Sequence, residues 1–317
     1  MNLLEKLYTF IIFLAVVMGI FIGKIEFIQS NAERFIVPLL MAMLYIIFLQ
    51  IPVEDIKKAF KNIKFTRTSV LMNFLWTPIL AWFLTLLFLN NHPALAIGFI
   101  MLMVTPCTDW YLIFTGIARG NVALSTAILP LNLILQLILL PVYLLIFGGT
   151  TLVVEFEFLV ESILIVLFLP FLLALLTKIG LRKKQQVREH LIAKLSMLPI
   201  LFLSLAIVAM FASQGNLLFE HIEVIWQITL PILLFFIINF IVSQKIGQLL
   251  KFSYPDRASL SLTTLARNSP IALAIAMTAF PDQPLIALTL VIGPLLELPI
   301  LAIVSQLLLF FSKNKGR

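Results

Sequence analysis

The sequence predicts an all-α polytopic membrane protein. Three observations lead there. The 317 residues are 62% hydrophobic and only 12% charged, far less polar than a soluble domain of that length. The apolar runs are unbroken and roughly twenty residues long, the length of a helix crossing the hydrocarbon core. The basic residues gather in short links between those runs. Twelve glycines and few turn clusters do not suit a transmembrane β-barrel, whose signal is short alternating strands. The net charge of +7 is topological and does not indicate a nucleic-acid partner. A single cysteine excludes an internal disulfide framework and any multi-cysteine metal site, and neither metal nor cofactor is expected.

Ten spans are expected, at 7–23, 35–53, 68–89, 93–118, 122–147, 158–180, 191–213, 222–246, 257–280 and 284–311. The first run ends at Lys24-Ile25-Glu26 with no small-x-small cleavage site, so it reads as a span and not a signal peptide. The links are short, and no soluble domain is expected at either end. Span two is followed by Lys57, Lys58, Lys61, Lys64 and Arg67, and span six by Arg182, Lys183, Lys184 and Arg188. Lys245, Lys251 and Arg257 surround the link after span eight, and Lys313, Lys315 and Arg317 close the chain. All of these fall on one side if both termini are cytoplasmic. The opposite links carry Glu155, Glu157, Glu220, Glu223 and Asp282, with Lys24 and Arg34 balanced by Glu26 and Glu33. The expected location is the cell membrane, with the lipid bilayer as partner. In "VEDIKKAFKNIK", Ile56, Ala59, Phe60 and Ile63 recur at helical spacing opposite the lysines, which predicts an interfacial amphipathic helix.

Ten spans form one transmembrane domain divisible into two sets of five, about 1–148 and 149–317. An odd number per set inverts one set relative to the other. Span four is interrupted by "TPCTD" and span nine by "ARNSP", at equivalent places, and spans five and ten each carry two inner prolines, Pro130 with Pro141 and Pro294 with Pro299. Matched interruptions in two halves point to a transporter built from inverted repeats.

Pro106 and Pro270 each remove a helix hydrogen bond. Freed backbone at that depth is tolerated only against protein or a watery cavity, so the two breaks are expected to face each other in the interior. Ser269 suits an N-cap with Pro270 at the first helical position, and Thr108 or Asp109 suits the other restart. Both restarts aim half-helix N-termini at mid-membrane, attracting anions or oxygen-rich neutral solutes. Asp109, Arg267 and Glu297 are ionisable groups placed well within spans, where such groups usually face a functional cavity. Glu297 either bonds carbonyls freed by its flanking prolines or carries a proton, and Asp109 either caps a helix beside Arg267 or shares that proton role. Cys107 is either a small apolar filler or a thiolate ligand for a soft ion. Asn132 and Gln136, four apart on one helical face, either line the same cavity or hydrogen-bond between helices. The candidate substrate residues are thus Cys107, Thr108, Asp109, Asn132, Gln136, Arg267, Asn268 and Ser269, with Glu297 and Asp109 for proton coupling. His92, His190 and His221 all lie near span ends or in links, so no histidine base sits at this depth and an intramembrane enzyme is not expected.

"ARGNVALS" after span four, "TLARNSPIALAIA" in span nine and "GPLLELP" in span ten resemble the bile acid:sodium symporter superfamily, over essentially the whole chain. The nearer branch resembles the arsenite efflux permeases of arsenical resistance. Cys107 precedes Arg119 by the twelve residues of that branch's signature, and Gly293, Glu297 and Pro299 match its Gly-x-x-x-Glu-x-Pro pattern. The resemblance implies a panel domain and a core domain, with broken helices four and nine crossing at the substrate site. The sodium-coupled branch has a Ser-Asn pair in span four and a glutamate in span nine. Those positions fall here on Tyr111 with Leu112 and on Thr263, which argues against sodium coupling. The arsenite branch usually has arginine before the cysteine, where this chain has Pro106. The expected function is export of arsenite, and of antimonite, in exchange for protons by alternating access. The alternative is transport of a small organic anion, using Arg267 and the half-helix N-termini with Cys107 as filler.

Overall fold

The apolar runs form helices throughout, and no β-strand occurs among the described residues. The computed structural model describes residues 3–50, 60–107, 110–148, 161–162, 164–182, 185–195, 197–220 and 222–314. Six of its helices are long and apolar enough to cross a membrane: Glu26–Gln50, Ile63–Phe88, Val122–Phe147, His190–Ser213, Trp226–Leu249 and Pro284–Ser312. Shorter apolar helices cover Phe13–Ile22, Pro93–Val104, Leu164–Gly180 and Ser269–Ala279. Large apolar side chains such as Phe13, Phe21, Phe83, Leu87, Ile138 and Leu145 are exposed, as a lipid-facing surface requires.

The chain divides into two compact units, each drawing on both halves of the sequence. Unit one comprises Met1–Ile51, Leu152–Ile222 and Pro270–Val291. It holds α1 (Leu3–Ile22) and α2 (Glu26–Gln50), then a π-helical turn (Leu164–Phe168) leading into α8 (Leu169–Gly180), α9 (Gln185–Leu195) and α10 (Leu198–Glu220). Helix α10 packs along both α1 and α2. Gly19 and Gly23 make the first of these possible, since a Cβ on either would stand 2.7 Å from the Val208 carbonyl oxygen or 2.5 Å from that of Ala212. Helix α8 lies on α2, with Phe171 edge-on to Phe48 at 5.7 Å and Tyr45 Oη 3.0 Å from Thr177 Oγ1.

Unit two comprises Pro52–Thr151, Glu223–Ser269 and Ile292–Arg317. A 3₁₀ turn (Phe60–Asn62) leads into α3 (Ile63–Leu71), a π-helical turn (Met72–Trp76) and α4 (Thr77–Phe88). Then come α5 (Pro93–Val104), α6 (Trp110–Ile117) and α7 (Val122–Gly148). The later segments are α11 (Ile222–Leu249), α12 (Tyr254–Leu265), the start of α13 (Ser269–Ala279) and the second part of α14 (Pro284–Asn314). Helix α7 packs against α5, α6, α12 and the π-helical turn.

The third span begins at Ile63, five residues before the expected start at 68. Asn62 is its cap, its Oδ1 accepting from Phe65 N at 3.1 Å, so Lys64 and Arg67 ride on the first turns. Lys64 Nζ donates to the Leu250 carbonyl at 2.5 Å. Residues 51–59, including most of the expected amphipathic helix, lie outside the described residues. Further along, the π-helical turn has a local cause. Pro78 cannot donate to the Phe74 carbonyl four residues earlier, and Tyr143 Oη donates to that oxygen instead, at 2.5 Å.

Candidate functional site

Both broken spans stop at the expected places, for reasons that the local chemistry supplies. Helix α5 ends at Val104, and Thr105 is extended (φ −103°, ψ 99°), as the residue before a proline prefers. Pro106 frees the Leu102 carbonyl, and Thr105 Oγ1 sits 3.1 Å from it and 2.9 Å from the Met101 carbonyl. Helix α12 ends at Leu265, Ala266 is extended (φ −69°, ψ 134°), and the helix restarts as α13 at Ser269.

The freed backbone groups of one break are taken up by the other. Pro106 and Arg267 form an isolated antiparallel bridge. Cys107 N donates to the Ala266 carbonyl at 3.0 Å, and Asn268 N donates to the Thr105 carbonyl at 2.7 Å. The breaks therefore cross face to face inside unit two, as the cost of unpaired backbone in lipid demands.

Arg267 pins this crossing. Its side chain is 1% exposed, yet four hydrogen bonds satisfy it. Nη1 donates to the Met103 carbonyl at 2.8 Å, Nε to the Leu265 carbonyl at 3.1 Å, and Nη2 to both Asn73 Oδ1, at 3.2 Å, and the Thr264 carbonyl. The guanidinium also lies over the Phe235 ring, 5.5 Å from its centre. The three carbonyls are the last of α5 and α12, so the cation sits where two half-helix dipoles are most negative. Glu297 joins at the same residue through the main chain, its Oε1 accepting from Arg267 N at 2.8 Å. One turn earlier on α14, a Cβ at Gly293 would meet Leu102 at 2.6 Å, so the helix reaches the last turn of α5 only because glycine is there.

Of the residues singled out in the sequence, Cys107, Arg267, Asn268 and Glu297 are brought together, all buried, with Ser269 buried beside them. The Cys107 thiol is free of any disulfide. Thr108 and Asp109 lie outside the described residues. Asn132 and Gln136 are 0% and 1% exposed, and among the described residues none of their four side-chain polar atoms has a hydrogen-bond partner. They are not joined to the crossing by a hydrogen bond, but their helix α7 packs on both α5 and α6, which flank the first break.

Asn73 was not among the expected residues, although it contacts the guanidinium. Ser69, Asn73 and Thr77 recur four apart in an otherwise apolar span, a stripe that carried the signal. Trp76 Nε1 donates to Asn239 Oδ1 at 2.8 Å, linking the same π-helical turn to α11.

"ARGNVALS" turns out to be a structural junction. Arg119 has φ 55°, and Gly120 N and Arg119 N donate back to the Thr115 and Gly116 carbonyls at 2.8 and 3.1 Å, a Schellman end to α6. Asn121 then caps α7, its Oδ1 accepting from Leu124 N at 3.1 Å while its Nδ2 donates to Asp256 Oδ1 at 2.8 Å. Ser259 Oγ donates to the Asn121 carbonyl at 3.1 Å, and Tyr254 Oη to the Ala118 carbonyl at 2.8 Å. This turn seats the first half of span nine against spans four and five.

The chain is similar to proteins named for transport or for arsenical resistance. It is 23% identical over 328 aligned residues to the arsenical-resistance protein Acr3 of Corynebacterium glutamicum, covering 95% of this chain and 87% of that one. It is 25% identical over 339 aligned residues to an uncharacterized transporter of Synechocystis sp., covering 97% and 88%. It is 25% identical over 186 aligned residues to an uncharacterized sodium-dependent transporter of Bacillus subtilis, covering 59% and 56%. The profile of the sodium bile acid symporter family matches residues 37–221, more than half of the chain. With two proline-broken helices whose breaks bridge one another in a helical membrane protein, this chain belongs to the sodium bile acid symporter family and is a transporter, not an enzyme.

Proposed function

We propose that the protein exports arsenite, and antimonite by the same chemistry, in exchange for protons. The observation that carries this reading is the position of Cys107 relative to Glu297. The cysteine amide is bonded to Ala266, and the carboxylate to the next residue, Arg267. A residue with a soft thiol and one with an ionisable carboxyl are therefore both held at the meeting of the breaks, buried in both cases. Arsenite is largely neutral at cytoplasmic pH, so a passive pore would only equilibrate it. Exchange for an entering proton adds about 2.3 kcal/mol per 100 mV for each charge moved. Glu297 takes up and releases that proton, with Asp109 as a second carrier. When ionised, its oxygen binds the Arg267 amide strongly, and protonation weakens that charge-assisted bond. The state of the carboxyl thereby acts on the crossing itself. Thr108, Asn268 and Ser269, at the two helix restarts, and Asn132 with Gln136 complete the substrate surroundings.

This reading includes ten spans arranged as two inverted repeats, a panel and a core, both termini in the cytoplasm, and placement in the cell membrane. A second reading, transport of a small organic anion, draws on the family and on the relative named as sodium-dependent. Two features weigh against it. Four of the donor positions of Arg267 are already bonded to protein oxygens, leaving little for an anion. Where the sodium-coupled pattern would place a small ligand side chain, Tyr111 is fully buried and donates to the Ser125 carbonyl at 2.6 Å.

Arsenite tolerance and efflux in a cell lacking its own arsenite exporters test the proposal. Wild-type protein confers both, and Cys107→Ser loses both. Tolerance and efflux fully retained in Cys107→Ser would favour the organic anion.

A further inference from the structure

Asn132 and Gln136 present an unusual balance of chemistry. Each carboxamide offers two donor hydrogens and one acceptor oxygen, both are buried, and among the described residues neither Oδ1, Nδ2, Oε1 nor Nε2 has a partner. Ser125 lies seven residues before Asn132 on α7, and its buried Oγ is likewise unpartnered. At 3.6 residues per turn the three lie within about 40° of one another around the helix. Thr115 on α6 and Thr263 on α12, helices that both pack on α7, also have buried hydroxyls without partners. Leaving a buried polar group unmade costs about 1–3 kcal/mol, so a stripe of them on one face calls for a compensating ligand. Its depth is also telling. Helix α7 runs back from the turn at 118–121, where Tyr111 bonds to Ser125, and Asn132 stands about 10 Å further along the axis, toward the level of the first break.

The chemistry of the pair selects among ligands. An anion is held by donors and a hard metal cation by oxygens. Two carboxamides supply both, as a hydroxyl group does, and carry no charge. We infer that Asn132 and Gln136 form a subsite for the hydroxyl groups of a neutral polyhydroxylated solute. The identity of that solute as undissociated arsenous acid rests on the proposed function above. The subsite reads the hydroxyls, while the thiol chemistry of Cys107 reads the soft central atom.

The test uses purified full-length protein in detergent, equilibrium dialysis with elemental analysis, and two probes. Arsenous acid has three hydroxyls and a soft centre, and boric acid has three hydroxyls without one. Asn132→Leu and Gln136→Leu replace unpartnered amides by apolar groups of similar size. Each is expected to unfold at the same or a higher temperature and to bind both probes about tenfold more weakly or worse. Cys107→Ser is expected to weaken arsenous acid alone. The inference is overturned if the leucine variants lower the unfolding temperature, if they bind both probes unchanged, if the wild type binds neither, or if binding requires sodium. Boric acid binding that depends on both amides, without arsenite export in cells, supports the subsite and removes arsenite as its solute.

Discussion

The crossing of the two breaks and the polar face of α7 are both buried and both interrupt apolar spans, yet they are opposites. At the crossing, the amides of Cys107, Arg267 and Asn268 are all taken, and Arg267 spends four hydrogen bonds on neighbouring oxygens. On α7, Asn132 and Gln136 satisfy none of their side-chain atoms among the described residues. The contrast separates polarity that builds the site from polarity left over for what passes through it. Satisfied groups hold two broken helices together in a medium that offers no water. Unsatisfied ones are costly to the fold, which makes them the better candidates for contact with solute.

The sharpest way to break that contrast is at its pin. Arg267→Ala leaves three carbonyls and Asn73 without their donor and is expected to destabilise the protein by about 3–5 kcal/mol, read as lost expression or early thermal unfolding in detergent. Arg267→Lys is not expected to rescue it, because a point charge cannot span acceptors on three helical segments as the planar fork does. Cys107→Ser should leave the fold nearly intact, within about 1 kcal/mol, while reducing arsenite transport about tenfold or more. Tyr143→Phe leaves the Phe74 carbonyl freed by Pro78 without its donor and should lower stability by about 1–3 kcal/mol in thermal unfolding. The smallest effect belongs to Arg119, whose φ of 55° is strained for any side chain; Arg119→Gly should raise stability by about 1 kcal/mol or less in thermal unfolding.

Much of this architecture was legible in the residues. Long apolar runs and basic links announced the helices, and Pro106 with Pro270 located both breaks to within a residue or two. That the breaks must face each other followed from the cost of bare backbone in lipid, and the Pro106–Arg267 bridge bears it out. Two partners of Arg267, the Thr264 and Leu265 carbonyls, are local, but the Met103 carbonyl was not legible, because only the fold brings it to the arginine. Asn73 escaped for the same reason, standing 194 residues from the arginine it bonds. Glu297 was recognised as a buried carboxyl between prolines, but its acceptance of a backbone amide depends on the close approach of α14 at Gly293. For Asn132 and Gln136 the sequence allowed cavity lining or interhelical bonding, and among the described residues neither side chain finds a hydrogen-bond partner.

The central claim is that Glu297 couples proton movement to metalloid movement at the crossing. It is tested most directly by arsenite uptake into everted membrane vesicles bearing a pH gradient, compared between wild type and Glu297→Gln. The glutamine keeps an oxygen for the Arg267 amide but cannot carry a proton. The account predicts gradient-driven uptake in the wild type and its loss in Glu297→Gln, with the variant still folded. Uptake of the same size in both, or none in the wild type, would contradict it.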